Sequence, residues 1–235
     1  MMARAWAVVP AAGSGRRMGA EVAKQYLPLC GRPVLAHALA PLSACERIAA
    51  VVLVVAPGDE RWAGIVSPGE RMIVAAGGAE RCHSVLAGLE ALVGRAAEDD
   101  WVLVHDAARP CLSGEELGRL FDALEDDAVG GLLATPLADT LKTADEAGRV
   151  AKTLPREGLW RALTPQMFRF GLLHEALAAA VAAGVLVTDE AAAMEHAGYR
   201  PALVPGHAAN IKITGPEDLA LAAAVLRGRE EERCA

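Results

Sequence analysis

Lysine is scarce in this chain: of 23 basic side chains only Lys24, Lys142, Lys152 and Lys212 carry an ammonium, which leaves 19 arginines. A compact, flexible ammonium suits following a phosphate as a point charge, so each lysine poses a question the arginines do not. Lys142 and Lys152 read equally well as scattered survivors. A basic surplus is missing too. Acidic residues number 30 and the formal net charge is -7, which argues against the broad basic face that a nucleic acid or an anionic membrane requires. Any anion must be met by a local cluster of cations. The five cysteines (Cys30, Cys45, Cys82, Cys111 and Cys234) form no C-x-x-C pair and are odd in number. They read as reduced, mostly buried thiols of a cytoplasmic protein, neither zinc ligands nor a disulfide framework. No apolar run approaches the roughly 20 residues of a membrane-spanning helix. The run at 6–9 stops at Pro10, and the one at 176–187 is broken by Gly184. Neither a transmembrane nor a targeting segment is read.

What is present is enough for a large core: 235 residues, 53% of them hydrophobic, within the range of one α/β domain over 1–235. Apolar runs at 6–10, 51–56, 72–75, 101–105 and 131–135 predict strands buried on both faces. Amphipathic stretches at 33–42, 81–93, 115–125, 172–183 and 216–227 predict helices between and after them. This alternation implies a mainly parallel sheet covered on both sides, with ligands at the carboxyl ends of its strands. Ser113 with Glu116, and Thr214 with Glu217, fit capping boxes, and Thr188-Asp189-Glu190 opens a further helix. The segment 139–154 differs. Two β-leaning runs flank Asp145-Glu146-Ala147-Gly148, which predicts a projecting hairpin arm at about 137–156. An isolated hairpin is marginal in water, so it is expected to pack on something, and a second copy of the chain is the economical candidate.

The chemistry concentrates at the N-terminus. Val8-Val9-Pro10-Ala11-Ala12-Gly13-Ser14-Gly15-Arg16-Arg17-Met18-Gly19 is an apolar run, a loop of small residues, then two guanidinium groups, with Lys24 and Gln25 just beyond. Such a loop can present bare N–H groups to an anion. The dinucleotide fingerprint fails because its third glycine falls on Met18, and the Walker loop fails for want of Gly-Lys-Ser/Thr. The stretch resembles the signature loop of nucleotidyltransferases that act on phosphorylated sugars or alcohols. A plain glycine-rich turn is the competing reading.

Further candidates sit at other predicted strand ends. Asp106, past the strand at 101–105, is placed for a magnesium ion or a ribose hydroxyl, and Arg109 for a phosphate or for holding the turn. His105 reads as a packed histidine, not a base. Gly77 to Ser84 opens a helix and offers glycine backbone to a base edge, or is simply a strand-to-helix turn. Lys212 alternates with Ile211 and Ile213, so a short strand would point it to the opposite face.

Seven motifs occur in order: Pro10-Ala11-Ala12-Gly13-Ser14-Gly15-x-Arg17-Met18, Lys24-Gln25-Tyr26, Gly78-x-x-Arg81-x-x-Ser84-Val85, His105-Asp106-Ala107-Ala108-Arg109-Pro110, Arg156-x-x-Leu159-Trp160-x-x-x-Thr164-Pro165-Gln166, Thr188-Asp189-Glu190-Ala191 and Asn210-Ile211-Lys212. Together they resemble the 2-C-methyl-D-erythritol 4-phosphate cytidylyltransferase family of the non-mevalonate isoprenoid route, over nearly the whole chain. The resemblance implies a Rossmann-like nucleotidyltransferase fold, a homodimer locked by exchanged β-arms, and use of CTP with Mg2+ in transfer to a polyol phosphate. It implies that Arg17 and Lys24 bind the triphosphate and stabilise the transition state. Ala11, Ala12, Gly13, Ser14, Gly15, Gly78, Arg81, Ser84, Asp106 and Ala107 would bind the nucleotide, with Asp106 also at the metal. Arg156 would cross to the neighbouring subunit to grip the acceptor phosphate, helped by Thr140, Lys212, Arg109 and Thr188. Two positions depart from the family: His83 stands where Asp is frequent, and Ala192 where Ser is common. The alternatives are the same chemistry on another polyol phosphate such as ribitol 5-phosphate, or a catalytically silent nucleotide-binding protein of this fold. A phosphate nucleophile is already largely dianionic at neutral pH, since its second pKa is about 6. Charge neutralisation and positioning must then carry catalysis, and a Ser-His-Asp or Cys-His arrangement is not expected.

Overall fold

The computed structural model describes residues 4–13 and 22–234. In chain order it forms β1 (Ala5–Pro10), a 3-10 turn (Lys24–Tyr26), β2 (Pro28–Leu29), β3 (Arg32–Pro33), α1 (Val34–Ala44), β4 (Ile48–Val55), a second 3-10 turn (Arg61–Gly64), β5 (Met72–Ala76), α2 (Arg81–Glu90) and β6 (Trp101–Val104). There follow α3 (Gly114–Leu124), β7 (Gly130–Pro136), β8 (Leu141–Ala144), β9 (Val150–Leu154), β10 (Trp160–Arg169), α4 (Phe170–Ala182), α5 (Glu190–His196), β11 (Ala202–Pro205) and α6 (Pro216–Cys234). Seven strands make the central sheet in the order β11-β7-β10-β6-β1-β4-β5. All neighbours are parallel except where β10 runs antiparallel to both β6 and β7.

The continuous apolar runs follow from burial on both faces. Ala5, Ala7 and Val9 of β1 belong with Leu35 and Leu39 of α1 and with Leu117, Leu120 and Phe121 of α3 in one buried cluster. The intervening Trp6 and Val8 belong with Val85 and Leu89 of α2, Leu173 and Leu177 of α4, and Met194 of α5 in another. One strand therefore anchors two helical layers. Each such Leu or Val taken from water contributes roughly 1.5–3 kcal/mol.

Two strands of the central sheet have no counterpart in the sequence reading, and neither does the short β2–β3 pair outside it. β10 carries Pro165, which argues against a central strand because proline cannot donate to the ladder. The sheet accommodates it by a register break against β7 between Ala162 and Gln166. β11 is only four residues long and ends in Pro205. Conversely, 210–214 is not a strand. Ile213 N–H donates to the Ala108 carbonyl at 2.8 Å and its side chain is buried, so the alternation that turns Lys212 the other way persists without a ladder.

Helix caps follow the local chemistry. Ser113 and Glu116 form the expected reciprocal box on α3. At α6 the carboxylate is Asp218, not Glu217: its Oδ2 accepts from Thr214 N at 2.7 Å, Gly215 N at 2.8 Å and Thr214 Oγ1 at 2.7 Å. α6 continues through the charged run after Gly228 to Cys234. α2 stops at Glu90, three residues short of the expected end.

The hairpin arm is present. Among the described residues β8 and β9 pair only with each other, outside the main sheet, and most of their residues are exposed. Asp145 shapes its turn by accepting from Ala147 N at 3.0 Å and Arg149 N at 2.8 Å. Lys142 is spent across the arm on Thr153 Oγ1, 2.6 Å away.

Candidate active site

A cleft of about 700 Å³ opens where β1, β5 and β6 end. β1 delivers Pro10, Ala11, Ala12 and Gly13; the first 3-10 turn delivers Lys24 and Gln25. Ala11 N–H still donates to Val54 O at 2.7 Å, so the loop leaves the sheet only after that residue. The segment after β5 closes the opposite wall at very short range. A Cβ on Gly77 would stand 2.6 Å from Ala12 Cβ, and one on Gly78 would stand 2.5 Å from His83 Cβ, so no larger residue fits at either position. Ser84 Oγ accepts from Gly78 N at 3.2 Å and donates to Glu80 O at 3.2 Å, which fixes that wall's backbone. His83 turns back into the helix cap, where Nδ1 accepts from Glu80 N at 3.3 Å.

The floor is a charge cluster around Asp106. Arg81 reaches its Oδ1 at 3.1 Å, Lys212 Nζ its Oδ2 at 2.7 Å, and Arg109 Nε the same oxygen at 3.6 Å. Burial opposes the Asp106 charge, but Arg81, Lys212 and Arg109 outweigh it and hold the carboxyl well below the usual carboxylate range. Arg81 also forks onto Glu190, with NH1 to Oε1 at 2.6 Å and NH2 to Oε2 at 3.0 Å. Burial works against the Arg81 charge too, yet Glu190 and Asp106 together raise its pKa. Burial pushes the Glu190 carboxyl upward and Arg81 pulls it back. The bidentate geometry is that of an ion pair.

Beneath the floor, hydrogen bonds run in one direction. Asp106 N–H donates to Thr164 Oγ1 at 3.1 Å. The Arg109 carbonyl, 3.1 Å from His105 Nε2, can only accept. His105 therefore carries its proton on Nε2, and Thr164 Oγ1 donates to Nδ1 at 2.9 Å. Burial depresses the His105 pKa to about 4, so the ring is neutral and packed, as the sequence suggested.

The structure brings Ala11, Ala12, Gly13, Lys24, Gly78, Arg81, Ser84, Asp106, Ala107 and Lys212 to one cleft. Ser14, Gly15, Arg16 and Arg17 lie outside the described residues. Arg109 is buried, its NH1 donating to Asn210 O at 2.7 Å and its NH2 to Ala162 O at 3.4 Å. That is the turn-holding role: it pins the segment that carries Lys212. Thr140, Arg156 and Thr188 are exposed and do not line the cleft. Arg156 NH1 donates instead to the Ala138 carbonyl at the base of the arm. Two residues that shape the site were given no role of their own in the sequence reading. Gly77 was visible only as one of a glycine pair. Glu190 was masked by its position in a good helix start, where Asp189 is the true cap and accepts from Ala192 N at 2.9 Å.

A small-residue loop and two lysines lining one cleft at parallel strand ends can hold a polyphosphate beside a second anion. A nucleotide-dependent transferase on an α/β scaffold is the class that this arrangement defines. The family profile described as 2-C-methyl-D-erythritol 4-phosphate cytidylyltransferase matches residues 5–228, and the chain belongs to that family. The enzyme of that name from Dechloromonas aromatica is 54% identical over 232 residues, covering 97% of this chain and 100% of the relative. The one from Pseudomonas aeruginosa PAO1 is 53% identical over 216 residues, 91% of this chain and 92% of the relative. Among solved structures, a 4-diphosphocytidyl-2C-methyl-D-erythritol synthase superposes with a TM-score of 0.84 at 39% identity, covering 96% of this chain and all of that one. The cytidylyltransferase from Thermus thermophilus gives a TM-score of 0.78 at 34% identity, with 94% and 98% covered. The fold expected from the resemblance is therefore the fold found.

His105 sets a pH dependence of stability. Its folded pKa of about 4 lies below the ordinary 6.5, so as pH falls through this window the unfolded chain takes a proton first. Its share of stability is intact above pH 6.5 and is lost progressively towards pH 4, by about 3 kcal/mol. Asp106, also depressed, loses its share only at lower pH. Urea unfolding of wild type and His105→Gln from pH 7 to 4 is expected to show a shallower slope in the variant; identical slopes would contradict the assignment.

Proposed function

We propose that this chain transfers the cytidylyl group of CTP to 2-C-methyl-D-erythritol 4-phosphate, giving 4-diphosphocytidyl-2-C-methyl-D-erythritol and pyrophosphate, a step in isoprenoid precursor biosynthesis. What carries the reading is membership of the family across residues 5–228, in a chain whose cleft gathers ten of the residues that the family motifs point to.

The nucleophile is an oxygen of the acceptor phosphate, already ionised near neutral pH, so no side chain has to remove a proton. The barrier is electrostatic: a dianion must approach the α-phosphorus of a triphosphate. In this reading the loop 11–15 and Gly78 cradle the nucleotide, and Asp106 and Ala107 face its ribose. Lys24 and Arg17 neutralise the charge that moves to pyrophosphate. Lys212, 38% exposed and on the cleft side of Asp106, is available to the acceptor phosphate. Magnesium is proposed to arrive with the triphosphate. Among the described residues no three His, Cys, Asp or Glu converge on one point, whereas magnesium ordinarily takes one or two carboxylates with phosphates and water. Asp106, the buried carboxylate lining the cleft, fits as its one protein ligand; the ion would supply further neutralisation of phosphate charge.

A homodimer with exchanged arms is part of the proposal. Thr140 and Arg156 lie outside the cleft of their own chain, flanking an exposed hairpin whose strands, among the described residues, pair only with each other, and a second copy gives them a phosphate to hold. The cysteine pattern supports a cytoplasmic setting, and among the described residues no helix is long and apolar enough to cross a membrane.

Pyrophosphate release with CTP and the acceptor tests the activity. Lys24→Ala is expected to lower kcat by about 10²–10³, as for loss of one transition-state donor; near-wild-type turnover would overturn the assignment. Arg156→Ala is expected to raise KM for the acceptor more than KM for CTP. Mixing the two impaired variants at an acceptor concentration far below the KM of Arg156→Ala is expected to restore part of the activity in heterodimers, and no recovery would remove the cross-subunit role.

A further inference from the structure

The residue after Lys24 is a glutamine with no charge to offer, yet it is 3% exposed and placed at the join between the cation and the loop. Gln25 Nε2 donates to the Ala11 carbonyl at 2.6 Å and to the Gly13 carbonyl at 3.1 Å. Both acceptors belong to the loop that lines the cleft, and Gln25 lies beside Lys24 in the same three-residue turn. That turn is held at its other end as well. Leu27 N–H closes it on Lys24 O at 3.2 Å, and the Arg61 guanidinium lies 4.5 Å over the Tyr26 ring, itself forked onto Asp59.

A loop that accepts an anion must show it N–H groups and keep its carbonyls turned away, because each carbonyl oxygen carries partial negative charge. A trans peptide points its N–H opposite to its C=O. Fixing the Ala11 carbonyl on Gln25 therefore fixes the direction of the Ala12 N–H. An amide has two N–H donors and no net charge; Glu of the same length has none when ionised, and Met none at all. A lysine here could donate, but would bring a second charge beside Lys24.

We propose that Gln25 is a positioning residue of the nucleotide site. It keeps the carbonyls of Ala11 and Gly13 away from the triphosphate, and through the shared turn it sets Lys24 at a fixed distance from the loop. The proposal rests on reading the cleft as the cytidylyl-transfer site. It makes two separable statements: the loop effect appears in KM for CTP, and the lysine effect in kcat.

The experiment is steady-state kinetics of wild type, Gln25→Met, Gln25→Glu, Lys24→Ala and the double variant Lys24→Ala/Gln25→Met, each as the full chain, with thermal melting as a check of folding. In Gln25→Met we expect kcat to fall about 10–100-fold, as for a misplaced catalytic group. KM for CTP rises several-fold, and KM for the acceptor stays within about twofold. The double variant has a kcat within about twofold of Lys24→Ala alone, because residues acting as one unit do not add. Gln25→Glu, which keeps the size and loses the donors, shows the same split and keeps the test alive should Gln25→Met not fold. Unchanged kcat and KM for CTP in a folded Gln25 variant, or losses that multiply in the double variant, would overturn the proposal. Absence of pyrophosphate release by wild type would instead overturn the activity on which it rests.

Discussion

A carboxylate taken out of water costs several kcal/mol unless cations and hydrogen bonds replace its hydration. Asp106 meets that cost with Arg81 from the start of α2, Arg109 from its own loop and Lys212 from the segment before α6. These three segments are far apart in the chain, and Asp106 is a point where all three meet. The buried carboxylate therefore acts as the knot of the site. Removing a partner from such a buried cluster leaves its charges less well compensated in a low-dielectric place, which is why the arrangement is a defined one. Glu190 extends the knot by a further step through Arg81, tying in α5.

The cluster also prepares the chemistry. Positive groups exceed acidic ones within it, three against two, and Lys24 lines the same cleft. Two of the three cations are arginines committed to protein oxygens, Arg81 to two carboxylates and Arg109 to two carbonyls beside the Asp106 carboxylate. They are scaffold. The two lysines at the cleft have the flexible stem and the compact point charge suited to a shifting phosphate. An acidic protein can in this way present a positive site without a basic surface, and a reaction between two phosphates needs little more than that and a rigid frame.

How much of this could be read from the chain depended on the range of each interaction. The glycine loop, Lys24, Gly78 and Asp106 were legible because each sits within a few residues of a strand end, and strand ends are announced by apolar runs. Lys212 was legible in direction though not in setting, since alternation with two isoleucines survives without a ladder. The Arg81–Glu190 pair was not: its partners are 109 residues apart, and Glu190 had a sufficient local explanation in the first turn of α5. β10 was hidden by Pro165, whose cost the sheet absorbs with a register break that no local pattern signals. Arg109 illustrates an open choice that only geometry could close, for a guanidinium after Asp-Ala-Ala suits a phosphate and a loop carbonyl equally well. Arg17, the other cation of the motif, falls outside the described residues, so the reading of it rests on the motif alone.

The central claim is that an acidic chain gathers a few cations at one cleft so that a triphosphate can be held and attacked there. A crystal structure of the protein with CTP tests it most directly. The account predicts the triphosphate against the loop that begins at Ala11, within hydrogen-bonding distance of Lys24, and the ribose near Asp106. Nucleotide bound away from this cleft, with Lys24 and the loop facing solvent, would contradict it.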